Sequence, residues 1–336
     1  MADLQSVRDR ARAAIAAGDY QLAFHLIELT RRHFPMDLEA AMLSGQLRLA
    51  WGQWAEARDS FEAVLQVDPE SVAARAGLAL LAERDGDLDG AIEQLERAFD
   101  LDSSNAGVAV GIGRLRSRLP RGSSVELGLP RHALARRSLL KRRYEKAILL
   151  FRDALRAAPD RVEIAVGLAR ALWLARRHGE AEQVAVEVLA SYPNCLKMLA
   201  VLAGASFDRG EVEAMFLLRR TAEYDPGNPV ARRMFLEAGL PFPRVGDDPE
   251  IPNADLRRVA SIIARGRASA LGPEPGDPAE EDWEEEDWEE EESEPFFLPE
   301  VQLDGEWVRV KREAAEDRDR RVEKEQDGTD AGNREA

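Results

Sequence analysis

The sequence is poor in the residues that build covalent or metal-centred chemistry. It has one cysteine, Cys195, which excludes an internal disulfide and a cysteine-based metal cluster. On an apolar stretch with no CxxC partner, it reads as a small core residue. The four histidines, His25, His33, His132 and His178, show neither HExxH spacing nor any other metal-ligand pattern. There is no phosphate loop and no GxSxG elbow. GIGRLR at 111–116 begins like a dinucleotide fingerprint but lacks the third glycine and a preceding strand, so its glycines read as close helix packing. No catalytic, cofactor or metal site follows from the sequence, and the chain reads as a non-enzyme.

Aromatic residues make up only 6%, and no stretch approaches the ~18 consecutive apolar residues of a membrane span. The opening MADLQSVRDR is charged and has no apolar h-region, so the expected compartment is the cytoplasm. Lysine is scarce too, 5 against 41 arginines, a chain-wide skew that reads as codon bias before it reads as a site. What is plentiful is alanine, leucine and arginine, good helix formers that point to an all-α chain.

The helices repeat. GDYQLAFHLIELTRRHFP at 18–35 recurs as GQWAEARDSFEAVLQVDP at 52–69 and GDLDGAIEQLERAFDLDS at 86–103. Gly18, Gly52 and Gly86 lie 34 apart, as do Ala23, Ala57 and Ala91, and Ile27, Phe61 and Leu95. One helix upstream, Ala11, Gly45 and Ala79 keep the same step, where small side chains let paired helices approach closely, and Pro35 and Pro69 end their units. The pattern resembles the tetratricopeptide repeat family, a 34-residue helix-turn-helix unit that stacks into a solenoid. The family's tryptophan-leucine-glycine signature is largely missing here, and Ser103 stands where a proline is usual.

A second register follows, with Ala135, Ala169 and Ala203 in first helices, Ala147 and Ala181 in second helices, and Pro159 and Pro193 closing units. A third copy, RGEVEAMFLLRRTAEYDP at 209–226, has slipped by one residue. NAGVAVGIGRLRSRL at 105–119 and NPVARRMFLEAG at 228–239 read as capping helices, one after each register. The resulting plan is an α-solenoid of about six repeats in two arrays of three. The first array with its cap spans 4–119, a linker 120–130, and the second array with its cap 131–239. A proline-rich segment with one short helix beginning at Asn253 fills 240–271. An acidic low-complexity tail occupies 272–300, a hairpin signal around Asp304-Gly305 occupies 301–312, and 313–336 has the composition of disorder.

Charge is distributed unevenly. Residues 1–110 carry a net −9, 111–180 carry +11, and 272–300 carry 15 acidic residues with no basic one. Such asymmetry concerns electrostatic partners and not the fold.

The family resemblance implies that first helices line a concave groove holding a peptide or partner segment. One residue past each small residue stand Arg12, Gln46, Leu80, Arg136, Arg170 and Gly204, and one turn away stand Arg8, His132, Trp173 and Phe207. The candidate groove set is therefore Arg8, Arg12, Gln46, His132, Arg136, Arg170, Trp173 and Phe207, a surface suited to an acidic, aromatic ligand. The lysine and asparagine pattern by which some family members clamp a carboxylate is absent, so that activity is not carried over. EDWEEEDWEE at 281–290 supplies such a ligand within the chain, with Trp283 and Trp288 as anchors docking in cis or on a partner; the competing reading is a solvated acidic tail. The alternative function is binding of nucleic acid or an anionic surface by the basic 111–180 region, with the tail as a mimic.

Overall fold

The computed structural model describes residues 1–118, 131–246, 248–270, 301–303 and 306–308. Seven helices form the first half: α1 (Leu4–Ala16), α2 (Tyr20–His33), α3 (Leu38–Ala50), α4 (Trp54–Val67), α5 (Val72–Arg84), α6 (Leu88–Leu101) and α7 (Ala106–Arg118). The second half repeats the plan with α8 (Arg131–Leu140), α9 (Tyr144–Ala157), α10 (Val162–Leu174), α11 (His178–Ser191), α12 (Leu196–Asp208), α13 (Glu213–Tyr224) and α14 (Pro229–Glu237). A final helix, α15, spans Asn253–Ala270. The chain is thus an all-α solenoid of two three-repeat arrays, each closed by a single helix.

The two arrays start their helices differently. In the first, Asp3, Asp19, Asp37, Ser71 and Asp87 each accept a backbone N–H of the opening turn, satisfying a donor the helix cannot. In the second, the N-cap positions of α9 to α13 hold Arg143, Arg161, Arg177, Cys195 and Val212, none with a side-chain cap; in the first array Gln53, before α4, is the uncapped exception. Packing carries the load there instead: a core of Ala147, Phe151, Ala169, Leu172, Ala181 and Ala203 is buried between successive helices. Gly167 makes room for Phe151, whose ring carbon Cζ sits 2.7 Å from where a Cβ would stand.

The capping helices bury one face only. Val108, Ile112 and Leu115 of α7 are buried, while Val110 is exposed. Ala231, Met234 and Phe235 of α14 are buried, and Leu236 is exposed.

Past the second cap the chain returns to its beginning. A two-residue strand β1 (Ala2–Asp3) pairs antiparallel with β2 (Glu250–Ile251), and the Leu4 N–H donates to the Pro249 carbonyl at 3.1 Å. Helix α15 is longer than the short helix expected, because it runs on through Gly266, an isolated helical glycine that costs only about 1 kcal/mol, and no proline follows before Pro273. Its Leu256, Val259 and Ile263 form one apolar stripe that packs into the first repeat with Ala23, Leu26 and Ile27. His33 Nε2 lies 3.1 Å from the Asp255 carboxylate beside it. Near the far end, β3 (Val301–Leu303) pairs antiparallel with β4 (Glu306–Val308); Asp304 and Gly305 lie outside the described residues, as do the linker 120–130 and the acidic tail.

Candidate partner-binding surface

The loops that close the repeats of the first array face those of the second, and charged side chains meet across the seam. Lys197, on α12, puts its Nζ 2.8 Å from Asp68 and 2.8 Å from Glu70, both at the α4–α5 turn. Glu70 also holds Arg136 of α8. Burial pushes the Glu70 carboxyl up, but Arg136 and Lys197 outweigh it and hold the group far below the carboxylate range. Glu163, 1% exposed at the start of α10, binds Arg97 through both oxygens at 3.0 and 2.9 Å and faces Arg75 and Arg161. Burial opposes ionisation of Glu163 as well, and the three arginines bring its carboxyl down to about 2. Arg75, itself buried, falls to about 10.

Each groove candidate has a definite place in this frame. Arg8 is 4% exposed and grips Asp37 with Nε and Nη2 at 3.0 and 2.5 Å. Arg12 pairs with Asp9 and Glu39. Gln46 is half-buried on α3. His132 abuts the Asp100 carboxylate. Arg136, besides Glu70, donates to the Glu163 carbonyl at 3.0 Å. Arg170 pairs with Glu237 of the capping helix. Trp173 is 1% exposed, edge-on to Phe235 with centroids 6.1 Å apart, and Phe207 meets the same ring at 5.8 Å. The arginines thus hold carboxylates of their own chain, while the two aromatics pack around Phe235 against α14. Trp283 and Trp288 lie outside the described residues.

Sequence reasoning missed the seam, and also a feature of the turns inside each repeat. In the first array these turns place Gly18, Gly52 and Gly86 at positive φ. In the second, Arg142 (φ 56°) and Arg176 (φ 62°) adopt the same left-handed conformation, which costs a non-glycine residue on the order of 1 kcal/mol or more. The signal was available, since Arg142 and Arg176 occupy the glycine register. Among the described residues no group of histidine, cysteine and carboxylates could hold a metal, and no helix is long and apolar enough to cross a membrane.

Stacked helix-turn-helix units joined by a charged inner seam define the class: a helical-repeat protein. Two family models, each described as tetratricopeptide repeat, match residues 45–106 and 138–205. Over these two stretches the chain carries tetratricopeptide repeats, and proteins built from that repeat are generally protein-interaction modules. No curated protein matches it in sequence. Among solved structures it is similar to the TPR domain of P58(IPK), at 16% identity and a TM-score of 0.32, covering 70% of this chain and 64% of that one, somewhat under two thirds of its length. It is similar to a tetratricopeptide repeat protein from Parabacteroides merdae, at 13% identity and a TM-score of 0.33, covering 70% of this chain and 98% of that one. A third similar structure is the TPR2AB domain of yeast Sti1 in complex with pHSP90, at 14% identity and a TM-score of 0.31, again covering 70% and 98%.

Proposed function

We propose that the chain is a cytoplasmic protein-interaction scaffold for a carboxylate-rich, aromatic-bearing segment, and that its own acidic tail is the docking or autoregulatory motif of that interaction. The observation that supports this reading is that Arg12, Arg136 and Arg170 each already hold a carboxylate, supplied by Glu39, Glu70 and Glu237. Arginine presents a planar fork that matches a carboxylate, so these positions are chemically suited to an acidic segment, which binds there by displacing the carboxylate already held. Residues 272–300, with 15 acids and no base, are chemically the same kind of segment.

The test is retention of partners from native lysate by three proteins: the full chain, a chain ending at Leu271, and the Trp283→Ala/Trp288→Ala double variant. The expected result is a partner held at least tenfold more strongly by the shortened chain and by the double variant, and lost again when Arg170→Glu is added. Equal retention by all three would remove the regulatory role of the tail.

A further inference from the structure

The basic excess of residues 111–180 is consumed unevenly. Arg114 and Arg118 bind Glu83, Arg116 binds Glu96, Arg161 binds Asp100 and Glu163, and Arg177 binds Glu145 and Glu180. Five cations in that stretch have no ion-pair partner among the described residues: Arg137, Lys141, Arg142, Arg143 and Lys146. All five are exposed, on the last turn of α8, the connecting turn and the first turn of α9. Beside them lies an open depression of about 580 Å³ lined by the cations Arg142, Arg143, Lys146 and Arg176 and by Tyr144, Leu174 and Ala175. Its one acid, Glu145, is already 3.2 Å from Arg177. Leu140 of α8 and Leu149 of α9 are 82% and 64% exposed.

Like charges crowded on one turn repel each other, and Arg142 and Arg176 add backbone strain where the first array uses glycine. A surface of this kind, cations around an apolar hollow, is complementary to carboxylates interleaved with aromatic rings. We propose that residues 281–290 of the same molecule, EDWEEEDWEE, dock on the α8–α9 turn, with carboxylates against the five free cations and a tryptophan, Trp283 or Trp288, in the depression over Leu174. This rests on the reading of the tail as a docking motif and gives that motif a seat away from the first-helix arginines. Docking on Arg136 or Arg170 must break an existing ion pair, whereas docking here breaks none. From Ala270, the last residue of α15, to Trp283 is 13 residues, a reach of up to about 45 Å.

The test is fluorine NMR of the full chain labelled with 5-fluorotryptophan, its six signals assigned with Trp283→Phe and Trp288→Phe. At about 10 mM salt, where the Debye length is ~30 Å, at least one of the Trp283 and Trp288 signals is expected away from the free-indole position, independently of protein concentration. It should return to that position in K141E/R143E/K146E and, for the unaltered chain, at about 1 M salt. Unchanged signals of Trp51, Trp54 and Trp173 report that the variant is folded. Displaced tail signals that persist in the triple variant overturn the seat while leaving the docking tail intact. Free-indole signals in the unaltered chain at every salt concentration overturn both. Displacement that grows with protein concentration assigns the turn to a second copy's tail and overturns docking in cis. Binding of a dT20 oligonucleotide that the triple variant loses, with both indoles free throughout, assigns the turn to nucleic acid and likewise overturns the proposal.

Discussion

Asp225 follows α13, is 9% exposed, and accepts the Val230 N–H at 2.9 Å. Burial pushes its carboxyl up to about 6; the Val230 N–H and Arg8 pull it back part of the way, while Asp37 and Glu39 push it further up. A carboxyl whose folded pKa exceeds its unfolded value binds protons more readily in the folded state, so its contribution to stability falls as pH rises from about 4 through 6. Asp225→Asn keeps an acceptor for Val230 and removes the charge. The variant is expected to exceed the unaltered chain by about 2 kcal/mol above pH 7, with the gap closing below pH 4, in urea unfolding at stepped pH. Glu163 has the opposite sign: depressed to about 2, it contributes stability that is complete above pH 4.5 and is lost as pH falls toward 2. Cys195 was legible from sequence, since a lone thiol on an apolar stretch should be core, and burial has pushed it up to about 12. It should resist thiol reagents at pH 8 until the protein is unfolded. Asp225 was not legible, because its neighbours Arg8, Asp37 and Glu39 come from the other end of the sequence.

At the scale of elements, the 34-residue step located the paired helices because each unit must bury the same positions against its neighbours. The seam between arrays follows no such rule. Lys197 meets Asp68 across 129 residues, and Arg97 meets Glu163 across 66. Nothing local distinguishes these side chains from dozens of other charged ones. Register also put Trp173 and Phe207 beside the arginines, yet Gly204 opens a notch that the Trp173 ring fills, its Cζ2 2.4 Å from where a Cβ would stand. Large aromatics fill such notches because packed interiors tolerate few voids. Lys197→Met would leave Asp68 and part of the Glu70 charge uncompensated. Breaking a buried pair from one side typically costs about 3 kcal/mol. Guanidinium unfolding of this variant should show that loss and split one transition into two as the arrays uncouple; a change below about 0.5 kcal/mol would mean that the seam does not couple them.

For the whole molecule, the consequential contact is the return of residues 249–263 to the first repeat through β1, β2 and α15. An amphipathic helix was legible there but its destination was not, since an apolar stripe of Leu256, Val259 and Ile263 suits any exposed apolar groove. A row of repeats in which each touches only its neighbours melts from its tips inward, its terminal units opening with little free energy. Here the first unit is clasped from outside the row. Amide exchange in α1 and α2 should therefore be as slow as in α4 or α10, and Val259→Asp should speed it by at least tenfold while leaving α10 unchanged. Mechanically the scaffold behaves less like a spring with two loose ends than like a buckled belt: tension applied along it is borne first by the clasp, and the coils between stay wound until the buckle gives.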